Sequence, residues 1–191
     1  MFARCTWHDA PPVHELAGDT LRVVTADHTD FWRITQYGFI RDNGHFFGMP
    51  VDGGFTAQVR VRAAFSALYD QAGLMVRIDE RRWLKAGVEF SDGQALLSTV
   101  LTDERSDWAV APAPAFADGF WLRVTVDRGV LRVQYSADGV TWPMLRLAPF
   151  ADAPRYLVGP MCCTPQRAGL DVTFSDFTVG PPLARDLHDL T

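Results

Sequence analysis

The stretch Trp83-Leu84-Lys85-Ala86-Gly87-Val88-Glu89-Phe90 carries a lysine and a glutamate four residues apart. In a strand, alternate side chains share a face, so Trp83, Lys85, Gly87 and Glu89 stand on one side and Leu84, Ala86, Val88 and Phe90 on the other. An ammonium and a carboxylate on one face can bind a polar ligand or take part in acid–base chemistry. Lys85 is the only lysine in the chain, against seventeen arginines. Lysine is a compact charge whose pKa responds to burial, whereas a guanidinium stays charged and forked. At roughly 3.3 Å per residue, Lys85 and Glu89 lie about 13 Å apart along the strand. They form no simple salt bridge, so a ligand sits between them or each has another partner, with Asp70 at the strand entry and Asp107 the obvious candidates.

Register extends this face. A hairpin that sets Arg77 against Trp83 sets Met75 against Lys85, Gly73 against Gly87 and Gln71 against Glu89. Directly opposed residues share a face. The next hairpin, turning at Asp92-Gly93, sets Glu89 against Leu96, Gly87 against Ser98 and Lys85 against Val100. The expected result is a trough floored by Gly73, Gly87 and Ser98, walled by Lys85, Glu89, Gln71 and Met75, with Trp83 and Arg77 closing one end. Opposed glycines weaken a strand pair and mark a close approach. The bland alternative is a solvated outer face, on which polar residues alternate by default.

Other chemistry finds less support. Glycoside hydrolysis commonly needs two carboxylates, about 5–5.5 Å apart for retention or 6.5–9.5 Å for inversion. Glu89 has Asp70 and Asp107 as possible partners, and a neighbouring lysine lowers a carboxyl pKa, which suits a base or nucleophile. The five histidines show no paired ligand spacing. Asp42-Asn43-Gly44 reads equally as a calcium loop or as a turn. No histidine stands at motif distance from Ser98, and no metal or cofactor is expected.

The elements that position these residues are strands. Alternation runs through Phe55 to Ala63, Phe120 to Val126, Leu131 to Tyr135 and Val172 to Phe174. Asp-Gly between alternating runs, at Asp92-Gly93 and Asp138-Gly139, signals two-residue hairpins, and Asp127-Arg128-Gly129 marks another turn. Trp142 is expected in the core of a packed hairpin. About a dozen short strands imply a two-layer sandwich, one domain over residues 1–180, with Ala111 to Gly119 a surface loop. Residues 181–191 form a tail, either short helix or disordered. With 191 residues and 48% apolar composition the chain has material for one large core. A net charge of −5 with scattered basic residues argues against nucleic acid. No apolar run reaches membrane-span or signal-peptide length. Three cysteines, Cys5, Cys162 and Cys163, lack disulfide or zinc spacing and read as reduced thiols in a cytoplasmic protein.

Several of these residues form a wider pattern. Asp30-Phe31-Trp32, Tyr69 to Leu74, Trp83 to Glu89 and Ser106-Asp107-Trp108 are followed by Tyr135-Ser136-x-Asp138-Gly139-x-x-Trp142, Arg146 and Phe174-x-x-Phe177. From Trp7 to Val179 the chain resembles the domain-of-unknown-function family of "regulation of enolase" proteins. That resemblance implies a concanavalin A-like jelly-roll, an all-β sandwich of two antiparallel sheets, whose concave face presents Gln71, Lys85 and Glu89. The wider superfamily holds lectins and glucanases, which suggests carbohydrate. The laminarinase motif Glu-x-Asp-x-x-Glu is not matched, since Phe90, Ser91 and Asp92 follow Glu89.

The sequence thus points to a small glycan or sugar-like ligand on the concave face. Asp70, Gln71, Lys85, Glu89, Ser98 and Asp107 are the expected polar contacts, and Trp32, Trp83 and Trp108 the stacking or rim residues. A regulatory module with a protein partner is the rival reading. A carbohydrate-active hydrolase or lyase is the third, with Glu89, Asp70, Asp107 and Lys85 as catalytic candidates.

Overall fold

A computed structural model describes residues 1–116 and 118–191; Ala117, inside the expected Ala111–Gly119 loop, lies outside the described residues. A short 3₁₀ turn, Phe2–Arg4, precedes the strands. The first seven are β1 (Thr6–Trp7), β2 (Val13–Ala17), β3 (Thr20–Val24), β4 (Phe31–Arg33), β5 (Ile40–Asp42), β6 (His45–Asp52) and β7 (Phe55–Ala63). Five more follow: β8 (Gln71–Arg77), β9 (Arg82–Ser91), β10 (Gln94–Asp103), β11 (Arg105–Pro112) and β12 (Phe120–Asp127). The last are β13 (Val130–Ser136), β14 (Met144–Pro149), β15 (Arg155–Cys163) and β16 (Asp171–Gly180).

Two seven-stranded antiparallel sheets make a jelly-roll sandwich, in the orders β1-β6-β15-β8-β9-β10-β11 and β14-β13-β12-β7-β16-β3-β2. The core between them follows from alternation. Leu74 and Val76 of β8 and Leu84, Ala86 and Val88 of β9 face Val59 and Val61 of β7 and Leu122 and Val124 of β12. Each buried Val or Leu contributes about 1.5–3 kcal/mol, and a one-residue slip would turn the whole set outward. The expected pairings of Gln71 with Glu89, Gly73 with Gly87 and Met75 with Lys85 are all present. So are those of Glu89 with Leu96, Gly87 with Ser98 and Lys85 with Val100.

The turns divide. Asp92 and Gly93 have φ of 53° and 75°, and Arg128 and Gly129 have 46° and 75°, as two-residue type I′ turns require. Asp138-Gly139 is different: it begins the longer connection between Ser136 and Met144. There the amides of Thr141 and Val140, with the Ser136 hydroxyl, donate to the Asp138 carboxylate and hold its pKa at about 2. Trp142 is buried, but outside the main core. Its ring lies 3.7 Å from the Arg123 guanidinium, and its amide donates to Leu190 O in the tail. The tail is neither helical nor detached: Leu183 N donates to Thr56 Oγ1 at 2.8 Å. Among the described residues no helix is long and apolar enough to cross a membrane.

The third, two-stranded sheet, β4–β5, decides the site. With its flanking loops it covers part of the outer face of the β6-β15-β8-β9-β10 sheet. Phe31 and Trp32 of β4 pack there on Phe46, Met75, Trp83, Val100, Met161 and Cys163, making a second, smaller core. That face is therefore not a solvated surface.

Candidate functional site

The cap is fastened by polar ties. Arg77 donates to both oxygens of Asp42 at 2.6 and 2.8 Å. Arg33 N donates to Ser106 Oγ at 2.9 Å, and Arg33 Nε to Glu104 O at 3.2 Å. Asn43 Oδ1 accepts from Asp30 N, and its amide donates to His28 O. Asp42 and Asn43 thus hold the cap in place, as the turn reading of Asp42-Asn43-Gly44 allows.

The cap divides the expected trough. Toward Trp83 and Arg77 it is filled: Trp83 and Met75 are fully buried, and Phe31 packs edge-on against the Trp83 ring at 6.1 Å. Toward Gln71 and Glu89 a cavity of about 180 Å³ remains. Gln71, Lys85, Glu89 and Val100 line it from the sheet, and Asp30 and Trp32 from the cap. Trp108 and Tyr69 flank it, with Tyr37, Phe39, Pro165 and Gln166 completing the lining.

The polar groups are connected. Lys85 Nζ donates to Asp30 Oδ1 at 2.9 Å, and the same oxygen accepts from Phe31 N at 2.8 Å and, at 3.5 Å, from Gln71 Nε2. Burial is the largest single influence and opposes the Lys85 charge, but the acidic neighbours together, Asp30 first, outweigh it and raise the pKa above the ordinary lysine value. Glu89 Oε2 accepts from Ser98 Oγ at 2.7 Å, and Trp108 Nε1 donates to Ser98 Oγ at 3.0 Å. Burial pushes the Glu89 pKa above the usual carboxyl range, outweighing Lys85 and Ser98. Lys85 does pull the Glu89 pKa down, as expected from the sequence, but burial acts the other way and is the larger effect. Between the two, over Gly87, lies a void of only about 10 Å³, room for a single water at most.

The glycine pair is a close approach of backbones. A Cβ on Gly73 would sit 1.9 Å from Ala86 O, and one on Gly87 2.1 Å from Ala72 O. The rim carries conformational strain. Ile34, Gln36 and Tyr69 have φ of 65°, 61° and 65°, each costing about 1–3 kcal/mol. Two of them frame the loop that presents Tyr37, and the third presents its partner. Tyr37 Oη and Tyr69 Oη lie 3.1 Å apart across the mouth; that bond and partial burial push the Tyr69 pKa up to about 12. Trp32 and Trp108 meet at 89° with ring centres 6.4 Å apart.

Of the residues named from sequence, Gln71, Lys85, Glu89, Trp32 and Trp108 line the cavity, and Ser98 stands behind Glu89. Three do not come together with them. Trp83 belongs to the small core and has no face free to stack. The Asp70 side chain has no exposed surface and pairs with Arg167 at 2.5 Å. It also accepts the Ser66 and Ala67 amides at 3.0 Å. Asp107 lies on the opposite face of β11 from Trp108, paired with Arg146 at 2.5 Å. Neither aspartate partners Lys85 or Glu89. Asp30, Tyr37, Phe39, Tyr69, Pro165 and Gln166 were not named as site residues. Asp30 and Tyr69 lay within quoted motifs, and an acidic residue beside two aromatics is the signal that points to Asp30.

Comparison with known proteins follows this geometry. The chain is 56% identical over 187 residues to Regulation of enolase protein 1 of Saccharomyces cerevisiae, covering 97% of this chain and 94% of that one. A crystal structure of a functionally unknown Saccharomyces cerevisiae protein superposes with a TM-score of 0.94 at 53% identity, covering 96% and 99% of the two chains. A bifunctional GH43-CE protein of Bacteroides eggerthii matches at a TM-score of 0.69 and 19% identity, over 95% of this chain but 24% of its own. That likeness is one of fold, confined to a minor part of the larger chain. With its matching region spanning residues 7–182, the chain belongs to the family described as protein of unknown function, DUF1349.

Proposed function

We propose that this protein is a binding module for a carbohydrate or sugar-like ligand, held in the cavity between the β4–β5 cap and β8–β10. The observation that carries this reading is the layering of the site. Lys85, Asp30, Gln71 and Glu89 offer hydrogen-bonding groups at the bottom, beneath Trp32, Tyr37, Tyr69 and Trp108. A ligand with apolar ring faces and hydroxyl edges matches such a lining, mostly apolar with a few placed polar groups. Both carboxyls are engaged within the protein, Asp30 by Lys85 and Glu89 by Ser98, which favours recognition over turnover by a hydrolase or lyase. We place its action in the cytoplasm, a setting that suits three unpaired cysteines.

The test is a tryptophan-fluorescence and thermal-shift screen against mono- and oligosaccharides. Trp32 and Trp108 report occupancy directly. A sugar that moves both signals in the parent, and neither in Trp108→Ala, supports the reading. A protein silent to every sugar overturns it.

A regulatory role through a protein partner is the second reading. The name of the 56% identical yeast relative favours it, as does the exposed apolar rim of Tyr37, Phe39, Ile40 and Val110. A partner bound at this rim would be captured equally well by the parent and by variants of the cavity floor.

A further inference from the structure

We propose, resting on the carbohydrate reading of the same cavity, that its ligand is a single uncharged sugar ring bound end-on, and that the site excludes uronic acids and sugar phosphates. Size gives the first part. A cavity of about 180 Å³ falls below the roughly 300–1,000 Å³ of sites that take drug-sized molecules. It is also a dead end. Toward Trp83 the face is sealed by Phe31 and by the Arg77–Asp42 pair. Across the mouth stand the hydroxyls of Tyr37 and Tyr69. A polysaccharide chain has no path through; one terminal or free unit fits.

Charge gives the second part. The charged or chargeable lining residues are Lys85, Asp30 and Glu89, apart from the tyrosine hydroxyls. Lys85 is neutralised by Asp30 at 2.9 Å, both side chains being largely buried. Glu89 sits in surroundings that favour its uncharged acid. Among the described residues no further cation reaches the cavity. A ligand carboxylate or phosphate would enter unpaired beside two carboxyl groups, and an unpaired buried charge is strongly unfavourable. A neutral polyol meets what is left. Lys85 has three donor protons and one protein acceptor. Asp30 Oδ2 and Glu89 Oε1 take no protein hydrogen bond among the described residues. Lys85 as donor beside Asp30 Oδ2 as acceptor, with the Glu89 Oε1 hydroxyl a further donor in the acid form, suits hydroxyls, each of which both donates and accepts.

The experiment is calorimetric titration of the full chain at pH 7. Its probes are a panel of neutral aldohexoses and aldopentoses, each hexose beside its uronic acid and 6-phosphate, with di- and tetrasaccharides of the same units. At least one neutral monosaccharide is expected to bind. Its charged forms should bind roughly a hundredfold more weakly, the scale of one unpaired buried charge, and longer oligomers no more than about threefold more tightly. Asp30→Asn keeps the shape and releases the Lys85 charge, so the preference for neutral over acidic sugar should shrink at least about tenfold. If that variant does not fold, the ratios of neutral to charged sugar binding in the parent decide the inference. Acidic sugars binding as well as neutral ones, or oligomers binding far more tightly, overturn this inference while leaving the carbohydrate reading intact. Silence from the whole panel brings down both.

Discussion

Lys85 Nζ sits 2.9 Å from Asp30 Oδ1, joining the centre of β9 to the segment that leads into β4. The pair does two things. It supplies the polar floor of the cavity, and it fixes the cap over the outer face of the sheet. Lys85 has 5% and Asp30 16% of the side chain exposed, so solvent screens the interaction little.

Removing one partner should therefore destabilise the protein and empty the site together. Lys85→Met leaves the Asp30 carboxylate buried without its cation, and we expect a loss of roughly 3 kcal/mol in urea unfolding. The double variant Lys85→Met/Asp30→Asn should recover part of this, because no charge is then stranded. A double variant less stable than the single one would show that the stabilisation is not electrostatic.

Trp83 and Trp108 should separate stability from binding. Trp83 is completely buried in the cluster with Phe31, Met75 and Val100. Trp83→Ala is expected to lose about 3–5 kcal/mol. Trp108 is 36% exposed at the cavity edge, so Trp108→Ala should cost about 1 kcal/mol or less while abolishing ligand response. Equal losses of stability in the two would contradict the assignment of Trp83 to core and Trp108 to rim.

These two tryptophans also mark how far the sequence could be read. The sheet register from Gln71 to Val100 was legible because alternation and the Asp92-Gly93 turn leave one pairing that keeps the apolar set inside. Lys85 was legible as an outlier of composition. Trp83 was misplaced because its face, on local pattern, is an outer one; only Phe31 and Trp32, from fifty residues upstream, make it a core. For the same reason the partner of Lys85 was sought among Asp70 and Asp107. Loops carry no periodicity, so Tyr37, Phe39 and Gln166 had no pattern to place them. The Asp138-Gly139 dipeptide looked like a two-residue hairpin, yet Asp138 uses its carboxylate to cap a longer loop.

The paired glycines offer a test of the sheet itself. A Cβ on Gly87 would stand 2.1 Å from Ala72 O and 3.0 Å from Gly73 Cα. Those atoms are backbone and cannot rotate aside, so Gly87→Ala should cost about 2–3 kcal/mol and disturb the spacing of Lys85 and Glu89. Gly180→Ala, where a Cβ meets nothing within 4 Å, should stay within about 0.5 kcal/mol. If the two alanines unfold at the same urea concentration, the strands at Gly73 and Gly87 have room that the geometry denies them.

Glu89 supplies the pH dependence. Burial raises its folded-state pKa above the ordinary value of 4.5, so across that interval the native state holds a proton that the unfolded chain has released. Stability therefore falls as pH climbs from the unfolded pKa through the folded one, by about 1.4 kcal/mol for each unit between them. The Glu89→Gln variant puts a neutral amide in place of the carboxyl and loses this titration, while the other ionisable groups are common to both proteins. The difference in melting temperature, variant minus parent, should be small near pH 3.5 and grow in favour of the variant toward pH 7.5 and above. A difference that stays flat over this range, or that turns against the variant as pH rises, would mean that Lys85 holds Glu89 ionised; the cavity floor would then carry net negative charge, and acidic sugars would be rejected by direct repulsion.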